Sequence, residues 1–375
     1  MISMNGQWLG KFTGSSGDGN IVVNIDERET YYQGVAYTHP DNRALPSSFA
    51  YFKTKNKELK CQLRTDALLP LDPSTTNVTT WDLIKDKYPN LVFSNYADVT
   101  ISLENGALTL SWKTDLGGTG HCVLPHSEAG ETSKLNATKS DWGDFKNYVS
   151  SLSGRRFLFR GQKDARRLRT SFHRTGRADL VRFSNEDVTA LRNHLSAKTK
   201  HVFNFGVPDE FGAFLNLIQH HGYPTPLLDW TYSPYVAAFF AYRKISNDMA
   251  AKADPDARVR VFVFDQQEWK TDWQQILLLL FPGPHFSIGE FMSIENERMI
   301  PQQAATTVTS LDDIESYIRA KEEIKNKTYL SAIDLPVRER REVVRELRYM
   351  GITAGSLFPG LDGACEELAE RNFEI

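Results

Sequence analysis

The sequence predicts a two-domain α+β protein, and three observations support that fold class. The chain has 375 residues, of which 41% are hydrophobic and 11% aromatic, enough for two packed cores. Residues 1–125 contain short runs in which apolar and polar side chains alternate, the pattern of a small antiparallel β-barrel or sandwich. Residues 140–375 combine apolar strands with segments of helical periodicity. The intervening residues 126–139 are rich in Ser, Thr, Glu and Gly and lack periodicity, so we expect a linker there.

In the N-terminal region, alternation predicts the strands and turn chemistry separates them. Leu108 and Leu110 alternate with polar neighbours, so one face of that strand should be buried and the other solvated. Asn105-Gly106 predicts a tight hairpin because both turn positions require a positive φ. Nothing here is typical of a catalytic site, and a binding or regulatory module and plain structural support both stay open. Strands are predicted at 8–13, 21–25, 31–37, 49–54, 59–63, 99–103 and 107–112, with a helix at 81–88.

In the C-terminal region, capping signals and apolar spacing predict the elements. Ser140 has the position of an N-cap, and apolar residues recur behind it at helical spacing until Gly154. Ser233 followed by Pro234 predicts a second helix start, because serine caps a first turn and proline fits its first position. Strands are also predicted at 157–162 and 258–264, a helix from a capping box at 184–187, and helices at 266–281 and 335–350.

The formal net charge is only −3, but basic residues are concentrated in one segment. Between Arg155 and Arg182, ten basic residues stand against two acidic ones. Such a segment is predicted to attract phosphate groups, which makes nucleic acid one candidate partner. A solvated basic surface is the alternative explanation. The basic residues are Arg155, Arg156, Arg160, Lys163, Arg166, Arg167, Arg169, Arg174, Arg177 and Arg182.

The sequence disfavours several classes of protein and site. The apolar cluster at 276–281 is far shorter than a membrane span, and no signal peptide is evident, so we expect a cytoplasmic protein without membrane partners. Three scattered cysteines suggest neither a zinc site nor a disulfide framework. His220 and His221 are adjacent and would point about 100° apart on a helix, so no metal is expected. Ser233 lacks the Gly-x-Ser-x-Gly pattern of a serine hydrolase.

Three stretches carry candidate binding chemistry. Arg160 follows an apolar run and precedes Gly161, which predicts a guanidinium at a strand end and a tight turn, where an anion can be held. An ordinary surface ion pair is the alternative. The helix start at Ser233 would offer free backbone N–H groups to an anion. Gln302 and Gln303 could clamp a ribose or an amide, and a plain surface strand end is the alternative.

Four separated blocks of sequence resemble the FRG domain family of bacteria and phages. The blocks occur in the order expected for that family and span about residues 140–370, so the N-terminal region lies outside the resemblance. They are Phe159-Arg160-Gly161; His220-His221-Gly222 with Leu228-Asp229-Trp230-Thr231, Ser233-Pro234 and Ala237-Ala238-Phe239; Arg298 with Gln302-Gln303; and Leu347-Arg348-Tyr349-Met350-Gly351-Ile352-Thr353 with Leu357-Phe358-Pro359.

FRG domains are in turn similar to ADP-ribosyltransferases, which implies a fold, a cosubstrate and an NAD-binding set. The implied fold is an ADP-ribosyltransferase-like mixed α/β domain, and the implied cosubstrate is NAD. Arg160 would hold the pyrophosphate or a ribose hydroxyl through its bidentate, permanently charged guanidinium. Thr231 and Ser233 would position the nicotinamide ribose. The implied NAD-binding residues are Arg160, Gly161, Gln162, His220, His221, Ser233 and Gln303.

The implied catalytic residues are Arg160, Asp229, Thr231 and Gln302. Cleavage of the nicotinamide bond develops positive charge on the ribose, so an acceptor that strengthens with that charge would lower the barrier. In ADP-ribosyltransferases that acceptor is a glutamate, but Gln302 and Gln303 fall at its expected position here. A glutamine carries no charge, so Asp229 or Glu297 would have to supply the carboxylate.

The resemblance therefore implies an ADP-ribosyltransferase that is similar to a toxin and transfers ADP-ribose from NAD to a macromolecule, either RNA or protein. A bacterial anti-phage defence or toxin–antitoxin system, with an antitoxin partner, is the implied setting. A non-catalytic nucleotide-binding or nucleic-acid-binding module and an NAD glycohydrolase are the alternatives.

Overall fold

The computed structural model describes residues 3–373, and its first half is one antiparallel β-sheet that curls into a half-barrel. A short helix and a 3₁₀ turn interrupt the strands once. The elements are β1 (Gly6–Gly14), β2 (Gly19–Glu27), β3 (Tyr32–Pro40), β4 (Ser48–Lys53), β5 (Lys60–Arg64), β6 (Ala67–Pro70), α1 (Trp81–Ile84) with a 3₁₀ turn (Lys85–Lys87), β7 (Ala97–Glu104), β8 (Ala107–Thr114) and β9 (Thr119–Pro125).

The strand order is β5-β7-β8-β9-β1-β2-β3-β4-β6, with β5 and β6 at the two edges of the sheet. All seven strands predicted in this region are confirmed. The hairpin of β7 and β8 turns at Asn105 and Gly106, whose φ angles of 51° and 77° are both positive, as the Asn-Gly pattern requires. The sequence pattern missed β6, which has only four residues, and β9, whose sequence begins Thr-Gly-His.

The second half combines a seven-stranded mixed sheet with twelve helices in the described part of the chain. Its elements are β10 (Ala137–Lys139), α2 (Trp142–Ser150), β11 (Phe157–Gln162), α3 (Ser171–Arg174), α4 (Leu180–Arg182), α5 (Thr189–Leu195), α6 (Pro208–His220), β12 (Leu227–Thr231), α7 (Pro234–Tyr242), α8 (Asn247–Lys252), β13 (Arg258–Asp265), α9 (Gln266–Asp272), β14 (Phe286–Gly289), β15 (Ala304–Thr309), α10 (Ile314–Lys325), β16 (Leu330–Pro336), α11 (Arg340–Tyr349), α12 (Ala354–Leu357) and α13 (Leu361–Phe373).

The strand order in this sheet is β10-β16-β13-β11-β12-β15-β14, and only β10 and β16 run parallel. Strand β10 lies in the segment predicted as a linker, so residues 126–139 are attached to the second sheet. The same segment contains a 3₁₀ turn at Glu128–Gly130, and its Ser133 N–H donates to the carbonyl of Ala165. No helix within residues 3–373 is long and apolar enough to cross a lipid bilayer.

Three helices differ from their predicted bounds, because local contacts override the apolar pattern. The helix predicted at 335–350 begins only at Arg340, since Leu335 and Pro336 end strand β16. The helix predicted at 266–281 ends at Asp272, and Trp273 has an extended backbone. Beyond it, the Ile276 N–H donates to the Ser287 hydroxyl and the Gln275 side chain accepts from the Ile288 N–H, which ties the chain to β14. The capping box at 184–187 is also absent, because the chain is already helical there: α4 begins after its N-cap, Asp179, and continues as a π-helix at Phe183–Val188.

Helix α7 lies directly on strand β11, and Gly161 makes this close approach feasible. A Cβ atom at Gly161 would be 1.8 Å from the carbonyl oxygen of Ala237 in α7. Gly161 pairs with Val261 inside the sheet, so the predicted tight turn at this glycine is wrong. The residue is a glycine because a helix backbone crosses over the strand.

The two halves are joined by a buried carboxylate in the half-barrel, Asp26 on β2, which is 0% exposed. It accepts hydrogen bonds from the guanidinium groups of Arg177 (2.8 Å) and Arg182 (2.9 Å). It also accepts from the backbone N–H groups of Ala178 (2.8 Å) and Asp179 (3.1 Å). Four donors from the second half thus converge on one carboxylate of the first.

Most arginines of the basic segment are paired with carboxylates, which removes the main argument for phosphate attraction. Arg167 is fully buried between Glu128 and Asp313, and Arg169 binds Asp312. Arg156, Arg177 and Arg182 likewise form ion pairs. The excess of positive charge in the sequence is therefore balanced by carboxylates that lie far away in the chain.

Candidate functional site

A cleft opens in the second sheet where strands β11 and β12 part. The two strands are paired at a single position, Phe159 opposite Thr231, and then separate. The resulting main cleft has a volume of about 310 Å³. A side hollow of about 300 Å³ adjoins it and shares Arg160, Gln219 and Asp229 with it. Together they lie within the size range of about 300–1,000 Å³ that is usual for small-ligand pockets.

Arg160 stands at the junction of these two spaces. Its Nη1 donates to the backbone carbonyl of Asp229 (2.6 Å), so the side chain bridges the gap between the strands. Its Nε is buried without a partner in the described structure. Burial lowers the pKa of Arg160 to about 10, with Asp229 raising it and Arg174 lowering it further. The guanidinium therefore stays charged at neutral pH while retaining an unused donor.

Two further arginines line the same spaces, Arg298 in the main cleft and Arg174 in the side hollow. Arg298 donates to the carbonyl of His220 (3.1 Å), and Arg174 donates to the carbonyl of Arg169 (2.6 Å). Like Arg160, both bind a backbone carbonyl, and none of the three forms an ion pair with a carboxylate of residues 3–373. This sets them apart from the paired arginines of the basic segment. Three cations beside a single carboxylate, Asp229, leave an excess of positive charge that favours an anionic ligand.

Asp229 is the acidic side chain of both spaces, since no other Asp or Glu of the described chain lines either one. It is exposed, and its Oδ1 accepts a hydrogen bond from the amide of Gln219. Its Oδ2 has no hydrogen-bond partner among the described residues. One carboxylate oxygen is thus fixed and the other faces the open space.

One face of helix α6 forms the polar floor of the main cleft, with Asn216, Gln219 and His220 at helical spacing. Asn216 is 3% exposed, and its Oδ1 accepts from the Thr306 hydroxyl (3.1 Å), which leaves its Nδ2 buried without a partner. His220 Nδ1 is likewise buried and unpaired. Burial lowers the pKa of His220, with Asp229 raising it and Arg298 lowering it, so the ring is neutral at neutral pH. Buried groups of this kind are costly unless a ligand satisfies them.

The opposite wall is aromatic. Phe358 lies edge-to-face with Phe240, with ring centroids 5.9 Å apart, and Arg298 stacks over Phe358 at 5.2 Å. Gln302 is 8% exposed, and its Nε2 donates to the carbonyl of Leu357 (2.9 Å), so its Oε1 is the polar atom free to face the cleft. Arg243 also stacks over Phe358, at 3.9 Å, and Phe358 is only 8% exposed, so the half-buried Phe240 is the ring that could contact a planar group of a ligand.

Thr231 and Ser233 have structural tasks beside the cleft. The Thr231 hydroxyl donates to the carbonyl of Gln302 (2.7 Å) and accepts from the Ser233 N–H (3.0 Å). It therefore fixes the Gln302 loop to the end of β12. The Ser233 hydroxyl accepts from the Val236 N–H (3.3 Å) and caps α7, as the sequence predicts.

The structure brings six of the ten predicted site residues into the main cleft and leaves four outside it. Those in the cleft are Arg160, Gly161, His220, Asp229, Thr231 and Gln302. Those outside its lining are Gln162, which donates to the carbonyl of Arg166; Ser233, which caps α7; His221, exposed at the end of α6; and Gln303, exposed with a φ of 45°.

The sequence-based site set missed Asn216, Arg174, Arg298 and the aromatic wall. Asn216 left a detectable signal, since it is the polar residue inside the apolar run Phe214-Leu215-Asn216-Leu217-Ile218. Arg298 and Phe358 also left a signal, since both stand in the blocks that resemble the FRG domain family, although neither was included among the predicted site residues. Glu297, the other candidate carboxylate, is exposed and does not line the cleft. No cluster of metal-ligating side chains is found within residues 3–373.

Comparison with protein families gives one match. The family model described as the FRG domain matches residues 155–250. This range includes Arg160, Arg174, Asn216, His220 and Asp229, and it excludes Arg298, Gln302 and Phe358, which complete the cleft. A search of curated proteins finds no match to the chain.

Proposed function

We propose that the protein is an NAD-dependent ADP-ribosyltransferase, with its active site in the main cleft and the side hollow. The observation that supports this proposal is the set of charged groups around the main cleft and the side hollow. Within residues 3–373, three arginines there form no ion pair, and the carboxylate of Asp229 has one oxygen without a hydrogen bond. A dinucleotide joins two negative phosphates to two planar rings. The arginines could bind the phosphates, and the aromatic wall of Phe240 and Phe358 could contact a ring.

Arg160 is the residue that would contact the NAD pyrophosphate. It is held by the Asp229 carbonyl at 2.6 Å and keeps a buried Nε unpaired, so it is oriented without being neutralised. Arg174 and Arg298 flank it on the two sides. A guanidinium that is already positioned loses little freedom when it binds a phosphate, which favours affinity.

Asp229 is the residue that would stabilise the reacting ribose. In the reaction, the bond between the nicotinamide nitrogen and ribose C1′ breaks, and nicotinamide leaves with the electron pair. A nucleophilic atom of the acceptor bonds to C1′ and gives up its proton. The ribose gains positive charge as the first bond lengthens, and a fixed carboxylate with one free oxygen favours that change. Gln302 lines the same cleft, and its Oε1 could accept a hydrogen bond from a ribose hydroxyl.

The acceptor in this proposal is a macromolecule, RNA or protein, and the setting is a bacterial toxin–antitoxin or anti-phage system. The pairing of the basic segment weakens the case for RNA, because most of its arginines are bound to carboxylates.

A second candidate function is non-catalytic nucleotide binding, and one observation favours it. The residue that reaches the cleft from the 298–303 segment is Gln302, which carries no charge. If Asp229 does not serve as the carboxylate, the cleft would bind a nucleotide without cleaving it.

Incubation with NAD labelled in the adenylate half, with separate RNA and protein fractions of a bacterial lysate, tests the proposal. The full-length protein should transfer label to one fraction, and Arg160→Gln should reduce the transfer at least about 100-fold. Arg166→Gln is the matched control, because Arg166 lies in the same segment, has a side chain that is 79% exposed, and lines neither space. Free nicotinamide without a labelled acceptor would indicate a glycohydrolase. NAD binding without nicotinamide release would indicate the non-catalytic module, and no NAD binding would exclude both the transferase and the glycohydrolase.

A further inference from the structure

The half-barrel contains a cavity that is separate from the cleft and has a different chemical character. One end of its interior is filled by Met4, Trp8, Leu103, Leu108 and Leu124, which pack as a core. The other end, where β1 ends and β7 begins, holds a cavity of about 380 Å³. We call this cavity the cup.

The cup exists because one wall of the half-barrel carries small side chains. Ala36 on β3 lies opposite Ala50 on β4, and Thr38 lies opposite Ser48. The Thr38 and Ser48 hydroxyls are 2.5 Å apart and bond to each other, so that pair is satisfied within the wall. Side chains normally fill the interior of a small barrel, and here these two rows are too short to do so.

The opposite wall and the floor are large and apolar. Trp112 packs edge-to-face against Phe12, with ring centroids 5.7 Å apart, and Phe52, Ile101 and Leu110 complete the surface. At the mouth, Val92 and Leu116 expose 74% and 55% of their surfaces. Apolar side chains at an entrance favour entry of an apolar ligand.

The absence of charged side chains from the described lining of the cup indicates the class of ligand. Asp, Glu, Lys and Arg make up 24% of the sequence, yet none of them, and no histidine, lines the cup in the described structure. An ion inside would lose its hydration and find no counter-charge, which is strongly unfavourable. The lining therefore excludes nucleotides and other anions, unlike the cleft.

We propose that the cup is a binding site for an uncharged, largely apolar small molecule. Such a ligand would fill the space beside the alanine wall and contact Trp112 and Phe12, with any hydroxyl it carries at the Ser and Thr residues near the mouth. The proposal is independent of the function assigned to the cleft. It gives the half-barrel a ligand-binding task beyond structural support.

Titration of the full-length protein with uncharged 1-N-phenylnaphthylamine, whose fluorescence rises in apolar sites, tests the proposal. Saturable binding is expected, with displacement by 1-dodecanol at a concentration at least about tenfold lower than by dodecanoate, because the anion would be desolvated. The absence of saturable binding, or equal displacement by the two competitors, would overturn the proposal.

Substitutions inside and outside the lining of the cup test whether the probe binds there. Ala50→Phe fills the cup from its small wall and should weaken binding at least about tenfold, and Val99→Phe should do the same from the far wall. Val123→Phe is the control, since Val123 is 62% exposed and lies outside the lining, and its binding should stay within about twofold of the wild type. Unchanged binding by folded Ala50→Phe would place the probe elsewhere, for example in the cavity of about 1000 Å³ that is lined by the half-barrel and by residues 281–284 and 311–317, and would contradict the proposal.

A measurement on the wild type covers the case in which the filling variants do not fold. Xenon occupies dry apolar cavities, so a crystal of the full-length protein under xenon pressure should show a bound atom beside Ala50 and Trp112. A cup that stays empty while other cavities fill would refute the site.

Discussion

Replacement of Asp26 by asparagine should destabilise the protein far more than a surface substitution of the same kind. Asp26 is 0% exposed and is held by two guanidinium groups and two backbone N–H groups from the other half of the chain. Asparagine has almost the same size but no charge, and its Nδ2 would bring a donor to a point where four donors already converge. Arg177 and Arg182 would lose the charge that compensates their burial.

The expected magnitude follows from that burial. Removing one partner of a buried ion pair typically costs about 3–5 kcal/mol, because the remaining charge is left uncompensated. Arg177 keeps Asp187 and Arg182 keeps Glu186 as second partners, which favours the lower end of that range, about 3 kcal/mol.

Asp98→Asn is the matched control, since Asp98 also lies on a strand of the half-barrel and also pairs with an arginine. The Arg64–Asp98 side chains are 57% and 58% exposed, so the loss should be below about 1 kcal/mol. Urea unfolding followed by tryptophan fluorescence and circular dichroism measures both variants against the wild type. A loss for Asp26→Asn no larger than that for Asp98→Asn would refute the view that this carboxylate locks the two halves together.

Two further predictions concern packing and pH. Gly161→Ala should lower the free energy of unfolding by about 3 kcal/mol, because the added methyl group would overlap a carbonyl oxygen of the helix above it. Gly154 has open space around it, so Gly154→Ala should change that free energy by less than about 0.5 kcal/mol. Equal losses for the two variants in urea unfolding would refute the packing argument. Burial lowers the pKa of His173 and of His285 to about 4, so both are neutral when folded, and stability should be lost as pH falls from about 6.5 towards 4. Burial raises the pKa of Asp179 to about 6, so this residue adds stability as pH falls and offsets part of the loss from the two histidines. The free energy of unfolding should therefore fall by about 3 kcal/mol between pH 6.5 and 4. A flat profile over this range would contradict the prediction.

The sequence predicted the half-barrel well because local signals dominate there. Alternation and the Asn-Gly turn are properties of adjacent residues, and all seven predicted strands are present. The helix predicted at 266–281 is too long, because the apolar run after Trp273 is compatible with either a helix or a packed loop. Side-chain contacts from Gln275 and Ser287, which the sequence pattern does not encode, decide between them.

The site was predicted only in part, because its lining comes from distant segments. Arg160 and Asp229 could be placed together through the family resemblance, and the parting of β11 and β12 brings them into one space. The pairing state of the arginines could not be read from the sequence. Arg160 and Arg167 are seven positions apart in one basic run, yet one is unpaired and the other is held by Glu128 and Asp313. Only the three-dimensional arrangement of the carboxylates distinguishes them.

Nicotinamide release by Asp229→Asn, compared with that by the wild type, tests the catalytic role proposed for Asp229. The wild type should release nicotinamide from NAD in the presence of its acceptor fraction. Asp229→Asn should release it about 100-fold more slowly while binding NAD within about twofold of the wild-type affinity, because its carboxylate acts mainly on the developing charge. Equal rates for the two proteins, or no release by a wild type that binds NAD, would contradict the assignment of Asp229 as the carboxylate that replaces the missing glutamate.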